Sequence, residues 1–198
     1  MSKKKWFVLL VLIAVLVCCA VVVVNMNYTK TTYSNSDYGF GIQYPSTGWT
    51  LVDCSNIGYD SSSEVNVRLF DETTKADCQS KYNESRISIN VYTEEQAHYY
   101  ERSLNSYEEK EIAINGNIYT QISGYDILSD QYSNPPEGSA EKTIQTLFPL
   151  GNDQILVVRY GQTYHFSSNR PDMPDGTFEQ KDYTPVYNDV VQSFRLEE

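Results

Sequence analysis

Histidine is nearly missing: His98 and His165 are the only two in 198 residues, too few for a histidine-based zinc site unless carboxylates complete it. There is no Gly-rich loop followed by Lys and Ser or Thr, and no G-x-G-x-x-G run after a strand, so the nucleotide-binding loops are excluded. The G-x-S-x-G elbow of serine hydrolases is missing as well. Acidic residues are absent before Asp37, whereas Lys3, Lys4 and Lys5 stand at the start. Setting those lysines apart leaves 12 basic against 26 acidic residues, a net −14 that repels phosphate backbones and disfavours nucleic-acid binding. Cysteines number four: Cys18, Cys19, Cys54 and Cys78.

What is present begins with Trp6–Val24, a run of 19 residues without a polar side chain, behind the three lysines. At about 1.5 Å per residue it is near the length that crosses a hydrocarbon core of roughly 30 Å. The lysines hold the N-terminus in the cytoplasm and place the rest outside. The segments are thus a basic tail (1–5), a transmembrane signal anchor (6–24), a polar linker (25–32) and an extracytoplasmic domain (33–198). Two rival readings share the export: a signal peptide cleaved after Ala20, and a lipobox at Leu16-Val17-Cys18-Cys19 with Cys19 lipidated. Four valines after Ala20 are unlike a cleavage region, and Cys18 departs from the small residue that a lipobox carries before its cysteine. In an oxidising compartment Cys54 and Cys78 are expected to form a disulfide.

The domain opens with Tyr38-Gly39-Phe40-Gly41-Ile42-Gln43-Tyr44-Pro45, in which Phe40, Ile42 and Tyr44 alternate with smaller or polar residues and Pro45 ends the ladder. Asn25 to Asp37 before it reads as a tether. Further strands are predicted over Trp49–Cys54, Val65–Phe70 and Ile87–Tyr92. Thr93-Glu94-Glu95-Gln96 has the form of a capping box, predicting a helix from Glu94 to Asn105. Asn115-Gly116 is a type I′ hairpin signal that sets Ile114 opposite Asn117 and Ile112 opposite Tyr119. Ile112, Ile114 and Tyr119 then share one face, Ala113, Ile118 and Ile122 the other, so both faces need cover. A second hairpin turns around Gly151-Asn152-Asp153, and its continuously apolar return strand, Ile155–Val158, belongs at the centre of the sheet. Polar loops are expected over Ser55–Ser63, Asp71–Glu84, Asp126–Ala140 and Ser167–Lys181. Thr184 as N-cap and Pro185 at N1 start a last helix whose face is Tyr187, Val190, Val191 and Phe194.

Asp172-Met173-Pro174-Asp175-Gly176 hints at a calcium loop, but Pro171 stands where the first acidic ligand belongs, so an EF-hand is rejected and only weak cation binding on acidic loops is left. Seventeen tyrosines fit half-buried sheet faces, or a platform for sugars or peptides.

The stretch Tyr33 to Pro45 with Trp49, and the chain end Tyr187-Asn188-Asp189-Val190-Val191-Gln192-Ser193-Phe194-Arg195, resemble the start and end of PsbP-like domains, so the resemblance covers about Tyr33 to Leu196. It implies an α+β fold, an antiparallel sheet flanked by helices on both faces as an α/β/α sandwich, behind the one transmembrane helix. PsbP itself is a non-enzymatic extrinsic subunit that helps photosystem II retain calcium and chloride, and other members are exported lipoproteins or membrane-anchored proteins. Gly48 and the long loops depart from the compact pattern, and no metal ligand matches a position here. The function expected is therefore a membrane-tethered, non-catalytic binding or assembly module with an envelope protein partner and no cofactor. The alternatives are a cell-envelope hydrolase and a tyrosine-rich carbohydrate- or peptide-binding domain.

Overall fold

Backbone amides and carbonyls along the apolar runs are satisfied by neighbouring strands, and antiparallel pairing accounts for most of the molecule. The computed structural model describes residues 29–55, 63–78, 86–97, 104–128, 138–166, 177–178 and 181–197. A small sheet joins β1 (Lys30–Asn35), β2 (Phe40–Pro45) and β11 (Arg195–Leu196) in the order β1-β2-β11. The large sheet contains β3 (Trp49–Asp53), β4 (Val65–Asp71), β5 (Ile87–Thr93), β6 (Asn105–Ile114), β7 (Asn117–Leu128), β8 (Gly138–Gly151) and β9 (Gln154–Phe166), in the order β3-β4-β5-β9-β8-β7-β6. The two-residue strand β10 (Thr177–Phe178) pairs with β9. One helix, α1 (Thr184–Gln192), packs against β2 and β9.

The hairpin registers follow from the turn residues. Asn115 and Gly116 take φ values of 50° and 84°, and Ile114 pairs with Asn117. Asn152 and Asp153 repeat this at 53° and 58° between Gly151 and Gln154. β9 lies in the middle of the seven-strand path, which explains why Ile155 to Val158 are all buried.

The sheet buries both faces. On the first, Val67, Leu69, Ile87, Ile89, Leu156 and Val158 meet Tyr187, Val190 and Val191 of α1, with Phe40 and Ile42 from the small sheet closing the core. Phe148 stacks on Phe194 at 4.0 Å between ring centroids. On the second, Ala97 and Leu104 cover Tyr92, Ile122, Leu147, Ile155 and Val157. On β4 and β5 the second face also carries a buried polar strip, Asn66, Arg68, Ser88 and Asn90, in which Arg68 Nε donates to Asn66 Oδ1 at 3.2 Å.

Several expectations are corrected. Lys30–Asn35 is not tether: it pairs with β2 from Lys30↔Pro45 to Asn35↔Phe40, and its polar side chains face outward because only its backbone is needed at this edge. The capping box forms reciprocally, Gln96 N–H to Thr93 Oγ1 and Thr93 N–H to Gln96 Oε1, and residues 94–97 are helical. The helix does not reach Asn105, which begins β6; 98–103 lie outside the described residues. Thr184 is not the N-cap: its amide donates to Asp182 Oδ1 at 2.8 Å, so the carboxylate two residues earlier satisfies the helix start. β7 and β8 run into the segment expected to be a loop over 126–140, and β10 lies within the one expected over 167–181. At the hairpin tip the second face is bare, with Ala113 and Ile118 exposed. The apolar run 6–24 lies outside the described residues, and no helix among them is long and apolar enough to cross a membrane.

Candidate functional site

Where the chain enters α1, residues 181–184 set Asp182 and Tyr183 against Asp71 of β4, Lys142 and Ile144 of β8 and Tyr160 of β9. Trp49 pairs in register with Asp71 at the ends of β3 and β4. Asp71 is buried, and five donors converge on it. Oδ1 accepts from the Thr73 hydroxyl (2.7 Å), the Thr74 hydroxyl (2.9 Å) and the Thr73 amide (3.1 Å). Oδ2 accepts from Arg86 Nε at 3.2 Å and, in a short bond, from the Tyr183 hydroxyl. Burial alone would raise this carboxyl, but the bonds from Tyr183, Thr73, Thr74 and Arg86 outweigh it and hold Asp71 well below the usual carboxylate range.

Tyr183 is the hinge of the cluster. Its ring meets Trp49 edge-on at 5.1 Å, with Arg86 and Lys181 over it at 5.9 and 5.6 Å from the centroid. Burial, then the bond to anionic Asp71, push its hydroxyl up to about 12. Its amide donates to the Tyr160 hydroxyl at 2.9 Å, which joins the cluster to a pocket of about 120 Å³ lined by Lys142, Ile144, Tyr160, Gln162, Asp182 and Thr184. Asp182 is held low by Thr184, through its hydroxyl and its amide. The pocket has one apolar wall, Ile144 and the Tyr160 ring, and charges of both signs at Lys142 and Asp182.

Alkaline titration tests this arrangement. Because the folded pKa of Tyr183 lies above its unfolded value of about 10, its contribution to stability is fully present below that pH and is lost as pH rises through about 12. Tyrosinate absorbance followed with unfolding should show Tyr183 ionising only as the fold is lost, and Tyr183→Phe should remove one late-titrating group. Ionisation of every tyrosine near pH 10 with the fold intact would contradict it.

The residues singled out from sequence are placed unevenly. Cys54 and Cys78 stand at disulfide distance, with sulfurs 2.08 Å and Cα atoms 5.5 Å apart. Cys19, Cys18, His98 and 171–176 lie outside the described residues, and His165 falls on β9 with its side chain also outside them. Tyr92 is buried and Tyr119 packs on Phe148 and Phe194 at 4.8 and 5.8 Å, so these two tyrosines serve the core. Among the described residues no group of three or more His, Cys, Asp or Glu could hold a metal. Sequence reasoning missed Asp71, Arg86 and Tyr183. Asp71-Glu72-Thr73-Thr74 carries the local signal, a carboxylate followed two and three residues on by hydroxyls. Arg86 and Tyr183 are 15 and 112 residues away, and no local pattern names them.

Fold and site together define an antiparallel-sheet protein with few helices and a small polar crevice where the last helix starts. No family model and no curated protein matches the chain. Among solved structures it is similar to the 1.9 Å crystal structure of the Saccharomyces cerevisiae Ran-binding protein Mog1p, at 10% identity and a TM-score of 0.41, over 85% of this chain and 96% of that one.

Proposed function

We propose that the chain is a membrane-tethered binding or assembly module of PsbP-like type that works outside the cytoplasm and catalyses no reaction. The observation that carries the non-catalytic part of this reading is the Asp71 carboxylate, whose two oxygens are taken up by Thr73, Thr74, Arg86 and Tyr183 within the fold. Asp71 and Asp182 are driven down and Tyr183 up, so all three titrate far from neutrality, the opposite of groups tuned to exchange protons at work. They act as fixed charges and fixed donors, suited to holding a surface in shape. Helices on both faces of the sheet belong to this reading, supported by α1 on the first face and by the helical residues 94–97, which set Ala97 on the second.

Placement outside the cytoplasm is supported by the lysine-flanked run Trp6–Val24 and by the Cys54–Cys78 pair, which persists where thiols are oxidised. Cys19 lipidation is the alternative means of attachment. The partner is an envelope protein rather than nucleic acid, which the net negative surface repels, and cations associate weakly with the acidic loops.

Cells expressing the full chain test it. The protein should sediment with membranes, Cys54 and Cys78 should resist alkylation until reduced, and protease added outside intact spheroplasts should digest the domain. A soluble chain with both thiols free to alkylate would overturn the reading.

A further inference from the structure

We propose that the outer edge of β6 docks an extended, basic segment of a partner protein by strand addition. The backbone supplies the first argument. A two-residue loop makes Ile114 and Asn117 a hydrogen-bonded pair, and such pairs recur at every second residue of an antiparallel ladder. Ile112 and Lys110 therefore also turn their amides and carbonyls toward β7. Those of Glu109, Glu111 and Ala113 point away from the sheet, and β6 is the last strand in the path, so no described strand borders them.

Side chains supply the second. Residues 107–111 are all exposed, and Glu108, Glu109 and Glu111 outnumber Lys110 three to one. Natural edges are guarded by charge, and acids on an already acidic chain repel a second copy of the same edge while attracting a basic strand. Exposed apolar groups flank the row: Tyr107 is 56% and Ile118 61% exposed, two of the three exposed large hydrophobics among the described residues. The irregularity between Asn105 and Glu108 ends the regular ladder, so the docking length is Glu108 to Ile114. The edges at β1 and β3 are shorter, at six and five residues.

A strand laid along β6 would gain main-chain bonds at Glu109, Glu111 and Ala113, with lysine or arginine against the glutamates and apolar residues against Tyr107 and Ile118. The inference rests on the binding-module reading but not on membrane placement, so a test in solution can fail while fractionation succeeds, and the reverse.

The probe is a peptide of alternating lysine and valine, about eight residues long, beside a lysine–proline peptide of equal charge that lacks every second amide. The lysine–valine peptide should slow hydrogen exchange of the Glu109, Glu111 and Ala113 amides by at least about tenfold. Glu109→Lys with Glu111→Lys should weaken binding by about tenfold or more, and binding should fall as salt is added. Glu111→Pro should abolish protection without moving the unfolding midpoint, because the amide it removes faces outward. Equal binding of the lysine–proline peptide would overturn the proposal in favour of a diffuse charge effect. So would absence of protection at millimolar peptide, or concentration-dependent protection without peptide, which would assign the edge to a second copy of the chain.

Discussion

Asp71→Ala is expected to lower the stability of the fold by about 3–5 kcal/mol, the range for removing one partner of a buried charged pair. The carboxylate receives five donors, and truncation leaves Arg86, whose side chain is only 13% exposed, and the Tyr183 hydroxyl facing a void. Asp71→Asn keeps the shape and part of the acceptor capacity, so its loss should be smaller, about 1–3 kcal/mol. The sign of the pH dependence follows from the depressed folded pKa. Stability contributed by Asp71 is present above the unfolded value of about 3.9 and is lost as pH falls from there through the folded pKa. Urea unfolding at neutral and strongly acidic pH checks both statements: the gap between the parent and Asp71→Ala should close toward acid. A neutral-pH loss under about 1 kcal/mol, the size of one ordinary hydrogen bond, would contradict the assignment.

Most of the sheet was legible because its information is local. Alternation located β2 and β5, Asn115-Gly116 set the β6–β7 register, and the unbroken apolar run at Ile155 placed β9 at the centre. What failed depended on distant partners. Lys30–Asn35 looks like linker because an edge strand needs no apolar side chains, only Pro45 to Phe40 running beside it. Asn66, Arg68, Ser88 and Asn90 alternate with the apolar residues of the first face and yet are buried, because alternation reports only that two faces differ and not which of them is covered. Thr73 and Thr74 after Asp71 signal a local turn, but nothing in the sequence marks its carboxylate as buried and paired. Its role exists only once Tyr183 arrives from the other end of the domain.

Removing the cysteine pair by Cys54→Ser with Cys78→Ser is the second large effect. The closed loop spans a separation of 24 residues, for which chain entropy gives roughly 3.5 kcal/mol. Both cysteines are buried, and the bond ties the end of β3 to the segment that follows β4. That segment carries Thr73 and Thr74, two of the groups that hold Asp71. The losses from the cysteine pair and from Asp71→Ala should therefore be coupled, the combined variant departing from simple addition by about 0.5 kcal/mol or more. Guanidinium unfolding of the four proteins measures this. Additive losses would mean that the crossbridge and the Asp71 cluster stabilise separate parts of the fold.

The small sheet has a consequence for how the chain comes into being. Gln43 N–H donates to Ser193 Oγ, Ser34 Oγ to Glu197 Oε1, and Phe194 completes the core that Phe40 begins, across separations of 150 and 163 residues for the two bonds. On the ribosome, β1 and β2 emerge long before β11 and α1, and until then the cover that α1 and Phe194 give to Phe40 and Ile42 is missing. Such long-range closure makes folding slow and late. The small sheet is thus completed only after residues 184–197 have been made, later than the consecutive hairpins of β6 to β9.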